Sequence, residues 1–389
     1  MAPKYDLLVK GGEVIDPAQG IHAVQDVAFT DGKVAAIAAG IPASDATEVY
    51  DATGMLVTPG LVDIHEHFYY GVKSICVDPR KDILPTGVTC AADGGTAGSK
   101  NYYNLRDLII KPSALHLYEF LHIAELGQLG GNGLRTLDMA NVESAVRIIE
   151  RNRDTIVGVK VQLPGPNSPF ASDAVELLKR AVEAGERSGT PVLCHIAGGI
   201  EMGTLFEILR PGDIVTHCFA SDEPTFIENG KVRPEVWAGV KKGVRLDISP
   251  AGNSSHFGWT VAETCAREGL WPDIIGTDLA NPNKARNDVM HHVPDCISMM
   301  MSLGMPLDLA IAAATTNPAN AMGKGDLHGS LRIGDCGDAA VLRRERGQFD
   351  YMAYGREIRT IDARLAPIAT INQGTLAWTA AAQHVGATA

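Results

Sequence analysis

Eight short apolar runs alternate with helix-patterned stretches through the middle of the chain, and this alternation constrains the fold more than any other feature. The runs are 56–64, 87–93, 114–123, 156–163, 191–197, 213–219, 244–250 and 273–279. Several are apolar almost without interruption, as parallel strands must be when helices cover both faces of the sheet. Residues 172–187 read as the clearest intervening helix. Asp173 with Glu176 fits a capping box there, and Val175, Leu178, Val182 and Gly185 form a stripe at helical spacing. Residues 142–152 and 259–268 follow the same pattern. Alternation kept up over roughly 250 residues predicts an α/β fold, a (β/α)8 TIM barrel, whose chemistry sits at the C-terminal ends of its strands.

The two ends of the chain read differently. Residues 5–10, 26–30 and 33–37 are strand-like, and Asp31-Gly32 between the last two is a hairpin signal. Residues 339–342, 357–361 and 368–374 supply a similar set. Neither set can bury both faces alone, so the ends are expected to meet in one small β-sandwich. The expected division is 1–57 plus 325–389 for the sandwich and 58–324 for the barrel. A chain of 389 residues accommodates both.

Composition excludes several classes of function. Apolar content of 45% and charged content of 21% are those of a soluble globular enzyme. A formal charge of -12 argues against nucleic acid or an anionic membrane as partner. No run approaches the roughly 20 apolar residues of a membrane span. The first ten residues lack the basic-then-apolar layout of a signal peptide. The seven cysteines are odd in number, contain no Cys-x-x-Cys and fall mostly in apolar runs, so they read as reduced packing residues of a cytoplasmic protein. An apolar patch on the barrel helices would support a homo-oligomer.

The polar residues at the ends of the apolar runs carry the chemistry. The first run ends in His65 and His67, whose side chains leave the same face of a strand and could begin a metal site. The fourth carries Lys160, the fifth ends in His195, the sixth in His217 and the eighth in Asp278. Singly, each has an ordinary explanation: a satisfied core histidine, a snorkelling lysine, a helix-capping aspartate. Five strand ends carrying this set together are not a packing pattern, because charged groups are rarely buried unpaired. An ammonium at Lys160 could not bind metal, and burying it without a charge partner would be costly. A neutral amine there could take up carbon dioxide as a carbamate, an anion able to bridge two divalent ions.

With these residues in place the chain resembles the amidohydrolase superfamily of metal-dependent hydrolases, in its dihydroorotase-like branch. It is most similar to the deacetylase group that includes acetyl-mandelate esterases. The resemblance rests on Val57-Thr58-Pro59-Gly60-Leu61-Val62-Asp63-Ile64-His65-Glu66-His67, Gly158-Val159-Lys160-Val161, Val192-Leu193-Cys194-His195 and residues 210–219. It continues through Thr277-Asp278-Leu279, Thr316-Asn317-Pro318-Ala319 and Gly334-Asp335-Cys336-Gly337-Asp338. It implies two divalent ions, zinc first and manganese or cobalt as substitutes. By that resemblance His65, His67 and Asp278 hold one ion, His195 and His217 the other, and carboxylated Lys160 bridges.

The implied reaction is hydrolysis of a small-molecule amide or ester, of the deacylase or esterase type. A hydroxide bound between the metals is the nucleophile and Asp278 the proton shuttle; alternatively, Asp278 is a purely structural ligand. A cyclic-amide hydrolase of the hydantoinase or dihydroorotase kind is the nearest alternative. Dihydroorotases place an arginine two residues after the second histidine, where this chain has Tyr69, which suggests an aromatic wall instead. Tyr69, His122, Asn253 and His256 are the candidate substrate contacts, with Glu125 after the third strand, Ser254 and Ser255 after the seventh and Arg286 in the loop after Asp278 as further polar groups. An adenosine-type deaminase would need a glutamate where Gly198 stands and would leave Lys160 without a role. A silent scaffold would have lost ligands, and none is missing.

Overall fold

The computed structural model describes residues 3–130, 136–222, 224–252, 254–280 and 291–380. In chain order the strands are β1 (Tyr5–Asp16), β2 (Ile21–Thr30), β3 (Lys33–Ala38), β4 (Ala46–Asp51), β5 (Leu56–Pro59), β6 (Leu61–Glu66), β7 (Val88–Asp93), β8 (His116–His122) and β9 (Ile156–Gln162). They continue with β10 (Val192–His195), β11 (Ile214–Thr216), the small hairpin β12 (Ile227–Glu228) and β13 (Lys231–Val232), and β14 (Arg245–Asp247). The last three are β15 (Ala339–Met352), β16 (Ile358–Asn372) and β17 (Thr375–Thr379).

Both ends of the chain meet in one mixed sheet, in the order β17-β16-β15-β5-β1-β2-β3, with β4 also on β1. The branch at β1 follows a register shift between Val9 and Gly12: residues before it pair with β4, residues after it with β5. The expected sandwich is therefore a single sheet bent on itself around Leu7, Val9, Phe29, Val57, Val341 and Ile371. Asp31 and Gly32 both take positive φ, 52° and 73°, which closes the predicted β2–β3 hairpin. The predicted 56–64 strand divides at Gly60. Its first part, β5, belongs to the end sheet and its second, β6, opens the barrel.

From β6 to β14, all strands but the β12–β13 hairpin form a curled parallel sheet in the order β14-β11-β10-β9-β8-β7-β6. The predicted eighth strand, 273–279, is not a regular strand. It touches each edge of the sheet by one bridge, Asp247 to Ile274 and Glu66 to Leu279, which closes the ring. The cause is that side chains replace the ladder. Asp247 Oδ1 accepts from Gly276 N at 2.9 Å, and Asp63 accepts from Thr277 N and its hydroxyl. A Cβ on Gly276 would stand 2.7 Å from Asp247 Oδ1, so only glycine lets the carboxylate come this close.

The helix predicted over 172–187 runs Ala174–Ser188 and ends on Gly189, whose φ is 67°. Asp173 does not cap it. A 3-10 turn over Ala171–Asp173 precedes the helix and gives Asp173 helical angles, so its carboxylate cannot turn back onto the first turn. The buried face is Ala174, Leu177, Leu178, Ala181 and Ala184, while Val175 and Val182 are only half-buried. Inside the barrel, Phe120, Leu193 and Ile214 form an apolar layer over Ala319 and Met322. The two-residue period of the strands then brings His122, His195 and Thr216 inward one rung above. No helix among the described residues is long and apolar enough to cross a membrane.

Candidate metal centre

At that rung the residues singled out from the strand ends converge. His65 and His67 lie with Asp278 in one group of donor atoms, and His195, His217 and His256 form a second. Lys160 Nζ stands 2.9 Å from His65 Nε2, and His217 Nε2 stands 3.0 Å from His195 Nδ1. Asp278 spans the groups: Oδ1 is 3.2 Å from His67 Nε2, and Oδ2 is 3.8 Å from His217 Nε2 and 3.3 Å from His256 Nδ1.

The hydrogen bonds behind the rings fix which nitrogen faces inward. Thr216 gives its one hydroxyl proton to Asp247 Oδ2 at 2.6 Å, so it accepts from His65 Nδ1 at 2.8 Å. The lone pair of His65 is thereby left on Nε2, aimed at Lys160 and Asp278. Ser249 O accepts from His217 Nδ1 at 2.7 Å and leaves that ring's Nε2 lone pair facing His195. His67 Nδ1 rests on Thr96 Oγ1 at 2.8 Å. Rings held from behind, with unprotonated nitrogens converging on one space, are what a divalent ion requires.

Burial sets the charges. It holds the His65 ring neutral down to about 4, with Lys160 adding to the effect. His195 and His217 lie well below the usual histidine range for the same reason. Burial draws the Lys160 amine down to about 8, against the pull of Asp278 and Asp247. For Asp278 burial alone would raise the carboxyl, but His65, His256 and His67 outweigh it and hold the group well below the usual carboxylate range. The centre thus combines neutral imidazoles, an amine able to lose its proton near neutrality and an ionised carboxylate. This donor set suits zinc, manganese or cobalt.

Strain gathers here as well. Among the described non-glycine residues, His217, Ser249, Ala251 and Asp278 take positive φ, and such positions cost about 1–3 kcal/mol each. The other three, Asp31, Asn229 and Gln373, and Ala251 among the four, each precede a glycine that also has positive φ, as in tight turns, whereas His217, Ser249 and Asp278 do not.

No family model matches the chain. A deacetylase of Agrobacterium fabrum is 31% identical over 317 residues, which cover 80% of this chain and 76% of that protein. The chain belongs to the amidohydrolase superfamily. A crystal structure of a dihydroorotase matches this amidohydrolase with a TM-score of 0.83 at 26% identity, covering 95% of this chain and 96% of that one. An adenine deaminase structure matches with a TM-score of 0.86 at 23% identity, covering 97% and 100%, and carries the fold alone. The amidohydrolase is accordingly a metal-dependent hydrolase on a TIM barrel.

The remaining candidates fall in different places. His122 is buried beside Lys160, with Nδ1 accepting from Ala124 N and Nε2 making no hydrogen bond. His256 stacks on His217, the ring centroids 3.9 Å apart, and with His195 borders a cavity of about 400 Å3 that reaches Gly165, Asn167 and Asp222. Tyr69 is buried in the core, its hydroxyl donating to Asn101 O at 3.4 Å, away from that cavity's lining. Glu125 pairs with Lys100. Asn253 and Arg286 lie outside the described residues. Sequence reasoning missed Thr216, Asp247 and Asp63, which orient the centre. The threonine before His217 and the two aspartates inside apolar runs were the available signals.

Proposed function

We propose that this amidohydrolase cleaves an acyl amide or ester bond in a small molecule, as a deacylase or esterase, with Asp278 moving the proton. The observation that carries the reading is the position of Asp278, one oxygen against His67 and the other against His217 and His256, beside the cavity. Divalent ions held by His65, His67 and Asp278 and by His195 and His217, with Lys160 carboxylated between them, would supply Lewis acidity and a water acidified towards neutrality. The surrounding histidines keep the Asp278 carboxylate ionised, so it can take the proton of the attacking water and hand it to the leaving amine or alkoxide. His256, at the cavity edge, offers a hydrogen bond to the substrate carbonyl or acyl group. The deacetylase name of the Agrobacterium fabrum relative favours this substrate class.

The full-length likeness to a dihydroorotase favours a second reading, a cyclic-amide hydrolase. Against it, the residue two past His67 is the buried Tyr69, which offers no cation to a substrate carboxylate. A hydrolytic screen separates the two: N-acetyl amino acids, O-acetyl hydroxy acids, lactones and cyclic imides, with metal content measured on the same sample. Turnover confined to cyclic imides would overturn the deacylase assignment. No turnover of any class by metal-loaded protein would overturn both.

A further inference from the structure

A second cluster of metal-ligating side chains lies at the opposite end of the barrel. His116, the first residue of β8, meets His328, Cys336 and Asp338 from the segment that leads into β15; the four donor atoms lie within 4.8 Å of one another. His116 and His122 are six residues apart on β8, which puts this cluster about 20 Å from the centre above it.

Three of the donors are buried and lack a hydrogen-bond partner: His116 Nε2, His328 Nδ1 and Asp338 Oδ2. They face one another. Asp338 Oδ2 is 3.2 Å from His116 Nε2 and 3.8 Å from His328 Nδ1. His328 and Asp338 are only 4% and 5% exposed, so water offers little relief. Their opposite atoms are already engaged: Tyr118 Oη lies 2.9 Å from His328 Nε2, and Asp338 Oδ1 accepts from Gln373 N at 2.8 Å. One ring and a carboxylate, His328 and Asp338, are thus fixed from outside with their free atoms pointing inward at His116 Nε2. That is the arrangement by which outer hydrogen bonds orient metal ligands. A simple ion pair of Asp338 with His116 would leave His328 Nδ1 idle and would give Cys336 no part.

We propose that His116, His328, Cys336 and Asp338 bind one zinc ion that joins the floor of the barrel to the end sheet. Four protein donors, two nitrogens, one thiolate sulfur and one carboxylate oxygen, close a tetrahedral shell with no position left for substrate, so the ion is structural. Cys336 differs from the other six cysteines, all free and fully buried, in being partly exposed beside these donors.

Cobalt substitution tests the site without any activity reading. None of the proposed ligands of the upper centre is a cysteine, so a thiolate-to-cobalt charge-transfer band in the near ultraviolet reports this site alone. Full-length protein stripped with chelator and reloaded with cobalt should show the band. It should vanish in Cys336→Ser, and zinc content should fall by one ion per chain in both Cys336→Ser and His328→Gln. The proposal is overturned by wild-type protein that gives no band, or by a band that survives Cys336→Ser. Zinc content unchanged in His328→Gln overturns it as well, and that reading stands even where the serine variant does not fold.

Discussion

A Cβ placed on Gly95 would stand 2.5 Å from Cγ of Lys160. Backbone at 95 therefore packs directly against the aliphatic stem of the lysine, and its φ of +90° lies where only glycine is at ease. Gly95→Ala is expected to push Lys160 out of line with His65 and to destabilise the fold by about 1–3 kcal/mol. Thermal unfolding and metal content on one sample check this. Normal metal binding in the variant would mean that Lys160 has room to move and is not held as a ligand.

Thr216→Val removes the acceptor behind His65 while keeping the shape of the side chain. The ring is then free to swap tautomers and to turn. Metal affinity should fall by about 10–100-fold, measured by competition with a chelator. An unchanged affinity would show that the Thr216–Asp247 relay does not orient the ring.

Lys160 can take up carbon dioxide only as the free amine. Because burial lowers this group to about 8, metal-free protein should regain activity faster as pH rises through that value. Added bicarbonate should speed the recovery, and Lys160→Ala should be partly restored by formate or acetate, small anions that mimic the missing carboxylate. Recovery indifferent to bicarbonate, with no rescue by either acid, would remove the carbamate from the mechanism.

Asp278→Asn keeps a ligating oxygen but cannot accept a proton. The kcat should drop by about 10²–10⁴-fold with metal content retained. A near-normal kcat would make Asp278 a ligand and nothing more.

Asp26 anchors the bend of the end sheet, accepting from Gly11 N, Ile41 N and Lys10 Nζ. Burial alone would raise its carboxyl, but these three donors together hold it below its ordinary value. A lowered folded-state value contributes stability above the unfolded pKa of about 4, and this is lost as pH falls through the folded value. Asp26→Asn should cost about 1–3 kcal/mol at neutral pH and flatten the acid limb of the stability curve. Denaturant unfolding at neutral and acid pH measures both effects.

The residues of the upper centre could be picked out because His65, His67, His195, His217 and Asp278 lie at the ends of apolar runs and Lys160 inside one, where a lone His, Lys or Asp stands out against its neighbours. The irregular eighth segment could not. Its apolar residues look like any strand, and the reason it is not one, capture of Gly276 and Thr277 by Asp247 and Asp63, is contact across the ring. The burial of Tyr69 is fixed in a similar way, since its place two residues after His67 does not say that the chain turns it into the core. The lower cluster left no local trace, since His116 lies more than two hundred residues before its three partners. The capping box at Asp173 failed on backbone angles that a sequence motif does not determine.

Strand β5 lies between β1 on one side and β15 on the other, pairing Leu56–Pro59 with Leu342–Ala339, and only Gly60 separates it from β6, the strand that carries His65. During synthesis the outer edge of β5 stays open until residue 339 has left the ribosome. Metal binding by this enzyme should thus depend on a pairing far along the chain from His65, and chains truncated before Ala339 should retain less metal than the full-length protein.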